Sequence, residues 1–434
     1  MFGSMDHHVL TKLDGLSRRR FLSGAAKTFL GVGLLGSGRA AETATALRKN
    51  PAKKVIYLYM SGGMSHIDTF NPRPEAAPEV RGDLGTLKTN ADGVVVSEYL
   101  PGLARHMDKM VVFNGVHSSQ GAHEQGQYYM RTNHTKRGII QHPHIGAWHL
   151  KMAGRINSNL PGFINIGGGS RSIGAGFFDS SLKPLSIRDA NSGLSDSKHY
   201  ADVSPALFDR RLDLSKKLNR GFRNRYDDRN IHAYTAMYDD AVKLMRSEDL
   251  DTFDLTRETA ATRASYGGSA FAQGCLLARR LSERGVRFVE VRLDGWDTHT
   301  DNFERVGEKA ATLDKAMAAL LGDLQVRGLL DETLVVLATE FGRTPKINQN
   351  EGRDHYPKAF STAIAGGGIH GGQVYGQTDK DGAEITDGAL DIRDFNATIA
   401  YGLGLAYDQT VFSPTHRPFT LANKGRPITS LFPA

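Results

Sequence analysis

Three short groups of histidines and carboxylates hold the residues best suited to chemistry. They are Ser61-Gly62-Gly63-Met64-Ser65-His66-Ile67-Asp68, Asp294-Gly295-Trp296-Asp297-Thr298-His299, and Glu340-Phe341-Gly342-Arg343-Thr344, the last followed closely by Gly352-Arg353-Asp354-His355. Imidazole and carboxylate gathered in one place suit a transition metal such as zinc, manganese or iron. Asp297 and His299 are one residue apart, so an extended segment projects both to the same side. Asp354 and His355 are adjacent and cannot share a strand face; on a turn one can ligate while the other orients it from behind. Glu340 follows an apolar run, where a carboxylate is costly unless paired or metal-bound. Taken singly, Asp297 reads equally well as a helix cap, and Arg343 as an ion-pair partner of Glu340.

The groups gain meaning from what precedes them. Each follows an apolar, β-branched run: Val55-Ile56-Tyr57-Leu58-Tyr59, Val286-Arg287-Phe288-Val289-Glu290-Val291, and Leu334-Val335-Val336-Leu337. Such runs read as buried strands of a parallel sheet, and in open α/β sheets the ligand lies beyond the carboxyl ends of the strands. The recurrence predicts one composite metal site formed by His66, Asp68, Asp297, His299, Glu340, Asp354 and His355. His123, in Gln120-Gly121-Ala122-His123-Glu124-Gln125-Gly126, follows a further strand candidate, Met110-Val111-Val112-Phe113, and precedes a helix, where anions bind. The neighbouring histidines His134, His142, His144 and His149 read as structural.

The remaining pattern is that of an α/β chain. Leu160 to Ile166 reads as a short strand. Leu313, Met317, Leu320, Leu321 and Leu324 share one face of a helix over about 304–327, leading into a strand at 333–339. That β-α-β order implies a parallel pair with a right-handed crossover. Residues 176–265 are polar and read as a helical insertion outside the core, and the proline-punctuated tail from about 408 as a surface wrap. Gly366-Gly367-Gly368 and Gly371-Gly372 lack the spacing of a nucleotide-binding fingerprint.

The chain has 434 residues and a formal charge of +7, with basic and acidic residues interspersed. No basic stripe interleaved with aromatics marks a nucleic-acid surface. A single cysteine, Cys275, excludes an intramolecular disulfide and any multi-cysteine metal knuckle; it reads as core. At the N-terminus, Ser17-Arg18-Arg19-Arg20-Phe21-Leu22 precedes a short Gly/Ala-rich apolar stretch and the small residues Ala40-Ala41 and Ala44-Thr45-Ala46. This resembles a twin-arginine export signal over residues 1–46. No segment has the length of a membrane span. The expectation is a single domain over 47–434, delivered by the twin-arginine machinery to the periplasm or cell envelope.

Met60 to Phe70, Gly295-Trp296-Asp297-Thr298-His299, Glu340 to Pro345 and Gly352-Arg353-Asp354-His355, in that order, resemble the signatures of the DUF1501 family over about residues 53–432. That family is placed with the alkaline phosphatase and sulfatase superfamily. The resemblance implies an α/β/α sandwich around a mostly parallel sheet, with a divalent metal (zinc, manganese or calcium) at the strand ends. It implies hydrolysis of a phosphate or sulfate ester in an anionic small molecule or polysaccharide, with Arg343 stabilising charge on the oxyanion. The chain departs from the superfamily in two respects. Glu340-Phe341 stands where an Asp-His pair is usual, and the nucleophile position offers Ser118, Ser119 or His123 rather than a sulfatase-type cysteine motif. Ser65 is a further candidate nucleophile, although its segment lacks a G-x-S-x-G elbow. The alternative is a non-catalytic envelope protein that uses the same scaffold to bind an anionic glycan or a protein partner.

Overall fold

The structure is a computed structural model that describes residues 48–168, 173–198, 202–226 and 229–433. The export signal expected over residues 1–46, with Arg18 and Arg19, lies outside the described residues.

The apolar runs form the centre of one large sheet. β1 is Lys54–Ser61, β2 Met110–His117, β3 Phe163–Ile166, β4 Leu185–Ile187, β5 Phe288–Asp294 and β6 Thr333–Ala338. Two short strands follow, β7 Gly342–Arg343 and β8 His355–Tyr356. Then come β9 Phe360–Gly366, β10 Gln373–Tyr375 and β11 Leu390–Asp391. Among the described residues the main sheet has nine strands, ordered β10-β2-β9-β6-β1-β5-β3-β4, with β11 beside β2. β1 lies parallel between β5 and β6. β9 runs antiparallel to both β6 and β2, so the sheet is mixed but mostly parallel.

Alternation along β1 divides the core. Val55, Tyr57 and Tyr59 pack on one face with Trp148, Phe288 and Phe395. Ile56, Leu58 and Met60 pack on the other with Leu276, Leu313 and Leu320. Helices cover both faces. α1 is His123–Thr132, α2 Ile145–Ala153, α3 Pro205–Arg225, α4 Arg229–Met245, α5 Ala270–Glu283, α6 Asn302–Val326 and α7 Ile392–Gly402. α6 buries Leu313, Met317, Leu320, Leu321 and Leu324, as the periodicity requires. Each such side chain contributes about 2 kcal/mol by leaving water. Cys275 is fully buried, and burial pushes its thiol well above the usual range. Among the described residues no helix is long and apolar enough to cross a membrane.

Two expectations need correction. The 176–265 stretch is not wholly outside the core: β4 joins the main sheet beside β3, and Phe253 and Leu255 enter the apolar cluster. A three-residue strand leaves no alternation to read. Nor is the tail only a surface wrap, because Leu421, Leu431 and Phe432 pack into the second cluster.

Candidate metal centre

Three strand ends and one helix start meet at Asp297. β1 turns sharply at Gly62 and Gly63, whose φ angles are +119° and +80°. A Cβ on Gly62 would lie 2.5 Å from the backbone nitrogen of Asp297, so only glycine lets this loop pass beneath the carboxylate. Trp296 is fully buried and its backbone N–H donates to the Ser61 carbonyl at 3.2 Å, which anchors the loop after β5. The β7–β8 ladder pairs Arg343 with His355. α1 begins at His123 and rests on the end of β6, where Gly126 comes close to the Glu340 Cβ.

Three imidazoles present the same nitrogen to one carboxylate. His123 Nε2 lies 3.3 Å from Asp297 Oδ2. His299 Nε2 and His355 Nε2 lie 3.0 Å and 3.4 Å from Oδ1. The opposite nitrogens are each held from behind. His123 Nδ1 is 2.9 Å from Glu340 Oε1, His355 Nδ1 is 2.9 Å from the Gly121 carbonyl, and His299 Nδ1 is 2.7 Å from Asp354 Oδ1. These partners are acceptors, so each Nδ1 carries its proton and donates. In the neutral rings, each Nε2 then presents a lone pair. Lone pairs from three rings aimed at a carboxylate repel unless a cation or extra protons stand among them. His299 and His355 show the same need, their Nε2 atoms being 3.1 Å apart. His123, Asp297 and His355 each offer a ligand atom, all within 4.8 Å of one another. Two histidines and a carboxylate, each histidine oriented by a second partner, are a donor set suited to a divalent metal.

Charge in the cluster is fixed by a few contacts. Burial opposes ionisation of Asp297, but the Arg343 hydrogen bond and charge hold its carboxyl at about 2. The bond to Glu340 raises His123, against the opposing effect of its burial. Burial lowers His355, a trend the Gly121 carbonyl opposes and nearby Arg343 reinforces. Beside His123 opens a cleft of about 990 Å³, lined in part by Gln127, Arg131, Lys136, His142, Lys183 and Arg292. The wall carries the cationic side chains of Lys136, Lys183 and Arg292.

The structure divides the seven residues expected to ligate together. Asp297, His299 and His355 meet at the cluster. Glu340 lies behind His123: it is fully buried, Oε2 accepts from Tyr59 Oη at 2.9 Å, and Oε1 accepts from the Gly62 N–H and His123. Burial opposes its ionisation, but the bond from His123 keeps the carboxyl below its usual range. Asp354 stands behind His299. Asp68 belongs to a separate buried group, its two oxygens taken by Arg353 at 2.8 Å and 2.9 Å and one of them also by Asn302. His66 Nε2 lies 2.8 Å from the Gly382 carbonyl, and burial depresses that imidazole to about 4. After the double-glycine turn the chain enters the core, which carries His66 and Asp68 away from Asp297.

The expected catalytic residues divide too. His123 is part of the cluster. Ser65 is buried, and its Oγ accepts a long 3.4 Å bond from the Asp68 N–H. Arg343 is fully buried. Its guanidinium donates to the carbonyls of Gly62, Gly63 and Arg353 and to Asp297 Oδ1. The guanidinium thus sits beneath Asp297 with its donors engaged by the protein.

Gln127 and Arg292 were missed by sequence reasoning. Gln127 lies one helical turn after His123 and so shares its face; its Nε2 donates to Ser61 Oγ at 3.3 Å. Arg292, near the end of β5, donates to the same hydroxyl at 2.8 Å and lines the cleft.

Residues 52–432 match the family model described as "Protein of unknown function (DUF1501)". No curated protein matches the sequence. Among solved structures, a sulfatase from Pseudoalteromonas sp. is similar at 11% identity and a TM-score of 0.37, over 82% of this chain and 69% of that one. A phosphonate monoester hydrolase from Silicibacter pomeroyi is similar at 13% identity and a TM-score of 0.38, over 88% and 78%. The lipoteichoic acid synthase of Listeria monocytogenes is similar at 10% identity and a TM-score of 0.36, over 83% and 76%. Likeness at this level carries no argument about chemistry, which rests on the cluster itself.

Proposed function

The chain belongs to the DUF1501 family, and from the geometry of its cluster we propose that it is a metal-dependent hydrolase of a phosphate or sulfate ester. The observation that carries this reading is the convergence of three Nδ1-anchored imidazoles on the Asp297 carboxylate.

His123, Asp297 and His355 would hold the metal. When bound, such an ion polarises an ester oxygen and lowers the pKa of water. The protein's own residues supply the rest. Glu340 and the Gly121 carbonyl keep the ligand imidazoles in one tautomer, and Arg343 keeps Asp297 ionised. His299, partly exposed and backed by Asp354, accepts the proton of attacking water and returns it to the departing alkoxide. Arg292 and the cationic cleft hold the anionic part of the substrate. Among the described residues no hydroxyl or thiol hydrogen-bonds to His123, Asp297 or His355, which favours water as the attacking group.

That same lack of a side-chain nucleophile also supports a second reading, a non-catalytic envelope protein that binds an anionic glycan or a protein partner at this cleft. Delivery to the periplasm or cell envelope by the twin-arginine route, as one domain over 47–434 after a 1–46 signal, belongs to the proposal and rests on the N-terminal sequence. Purified protein reconstituted with zinc, manganese or calcium and assayed on aryl phosphate and aryl sulfate esters tests it. Hydrolysis lost in His299→Gln supports the enzyme. Metal binding without turnover of either ester, together with tight binding of a sulfated glycan, supports the binding protein.

A further inference from the structure

α3 runs for 21 residues, Pro205–Arg225, and most of its described residues are exposed. Among its described residues only Leu212 is buried, and this marks the inner side. The helix is tied to its surroundings mainly by charge: Lys216 lies 3.7 Å from Asp239 of α4, and Arg246 just beyond α4 pairs with Asp209. α4 in turn is fastened to the body, with Asp240 paired to Arg155 at 2.7 Å and Leu244 buried.

One exposed face of α3 carries leucines among its charged residues. Leu207, Leu214 and Leu218 are 36%, 57% and 72% exposed. Their spacing of seven and four residues places them on one stripe, about 17 Å long at the helical rise. Single exposed leucines are ordinary, but three that share one face, broken only by the Arg210-Arg211 turn, are not. Met237 and Tyr238 of α4 are exposed as well. Cations surround the stripe. Arg210, Arg211, Lys217 and Arg220 are exposed, and the helix as a whole carries seven basic residues against Asp209 and Asp213.

We propose that α3 is a peripheral docking surface for an anionic lipid bilayer, with its leucine stripe in the acyl boundary and its arginines and lysines among the headgroups. A basic amphipathic helix with an apolar stripe lies in the plane of such an interface. A second copy of the chain fits less well, since pairing two stripes brings like charges together. Juxtamembrane basic residues each add to the attraction, which falls with ionic strength. The site would hold the cleft near a membrane surface, independently of what the cleft does.

Full-length protein is mixed with vesicles of phosphatidylglycerol and phosphatidylcholine, and with pure phosphatidylcholine vesicles, and sedimented. The expected result is partitioning to the anionic vesicles that weakens with salt. It should fall about tenfold or more in Leu214→Gln/Leu218→Gln and in Arg210→Glu/Lys217→Glu. These positions are exposed, and circular dichroism confirms that the variants fold. Unchanged partitioning in both variants overturns the proposal, since binding then resides elsewhere in the chain. Equal binding to neutral vesicles also overturns it. So does a dimer, seen by light scattering, that Leu214→Gln dissolves while vesicles go unbound.

Discussion

Arg343 and His355 face each other across a two-residue ladder, and both reach the same oxygen of Asp297, at 2.5 Å and 3.4 Å. One is a buried cation that can never ligate a metal. The other is an imidazole with a lone pair turned toward the carboxylate. The ladder thus joins the support of the site to its chemistry, and the two can be separated by substitution.

Arg343→Ala leaves Gly62, Gly63 and Arg353 carbonyls without their donor and removes the cation under Asp297. Each buried carbonyl left without a donor costs about 1–3 kcal/mol, whereas Asp297, 45% exposed, is solvated by water in place of the guanidinium. Denaturant unfolding should show that loss together with reduced metal content. A variant with wild-type stability and metal, but weaker affinity for phosphate or sulfate, would return Arg343 to the role of oxyanion binder.

Asp68→Ala separates the buried pair from the metal centre. Arg353 would be left as an uncompensated buried charge, at a cost of about 3–5 kcal/mol. Protein that still folds should bind metal with wild-type stoichiometry. Metal loss in a folded Asp68→Ala protein would make Asp68 a ligand after all.

Arg292→Ala should raise KM for an ester substrate about tenfold, a loss of about 1.4 kcal/mol, with little effect on metal content. The motive is its place in the cleft wall beside Gln127. An unchanged KM on a substrate the wild type turns over would remove Arg292 from the substrate site.

Acid should weaken the fold early. Burial depresses His66 to about 4 and His149 to about 3, whereas the unfolded rings titrate near 6.5. The unfolded chain therefore takes up protons first. The stability gained by keeping these rings neutral is whole above about pH 6.5 and is lost as pH falls toward about 4 for His66 and about 3 for His149. Each contributes on the order of 3 kcal/mol across its window. Urea midpoints at about pH 7.5 and about pH 5 measure the effect, and His149→Phe should flatten part of the slope. Midpoints that do not move between these values would show that the rings are not buried neutral.

Much of this was legible in the sequence because it depends on local pattern. The apolar runs ending at Tyr59, Val291 and Leu337 announced three neighbouring strands, and the spacing of Leu313 to Leu324 announced the helix between two of them. Asp297, His299 and His355 followed from their place after strands. His66 and Asp68 misled because the same rule applied to them, while the direction taken after Gly62-Gly63 depends on packing against Trp296 and Phe341. Glu340 was rightly marked as a costly buried carboxylate, but its partner, His123, lies 217 positions away. Arg343 shows the same limit: its side-chain type suits an oxyanion, and only burial reveals that its donors are already engaged.

The central claim is that His123, Asp297 and His355 hold one divalent metal. Its most direct test is calorimetric titration of metal-free protein with zinc, manganese and calcium, run on wild type and Asp297→Asn. The account predicts one equivalent of at least one of these ions bound by the wild type, and its loss in a folded Asp297→Asn variant. Wild-type protein that binds none of the three, or an Asp297→Asn variant that binds as well as wild type, would contradict it.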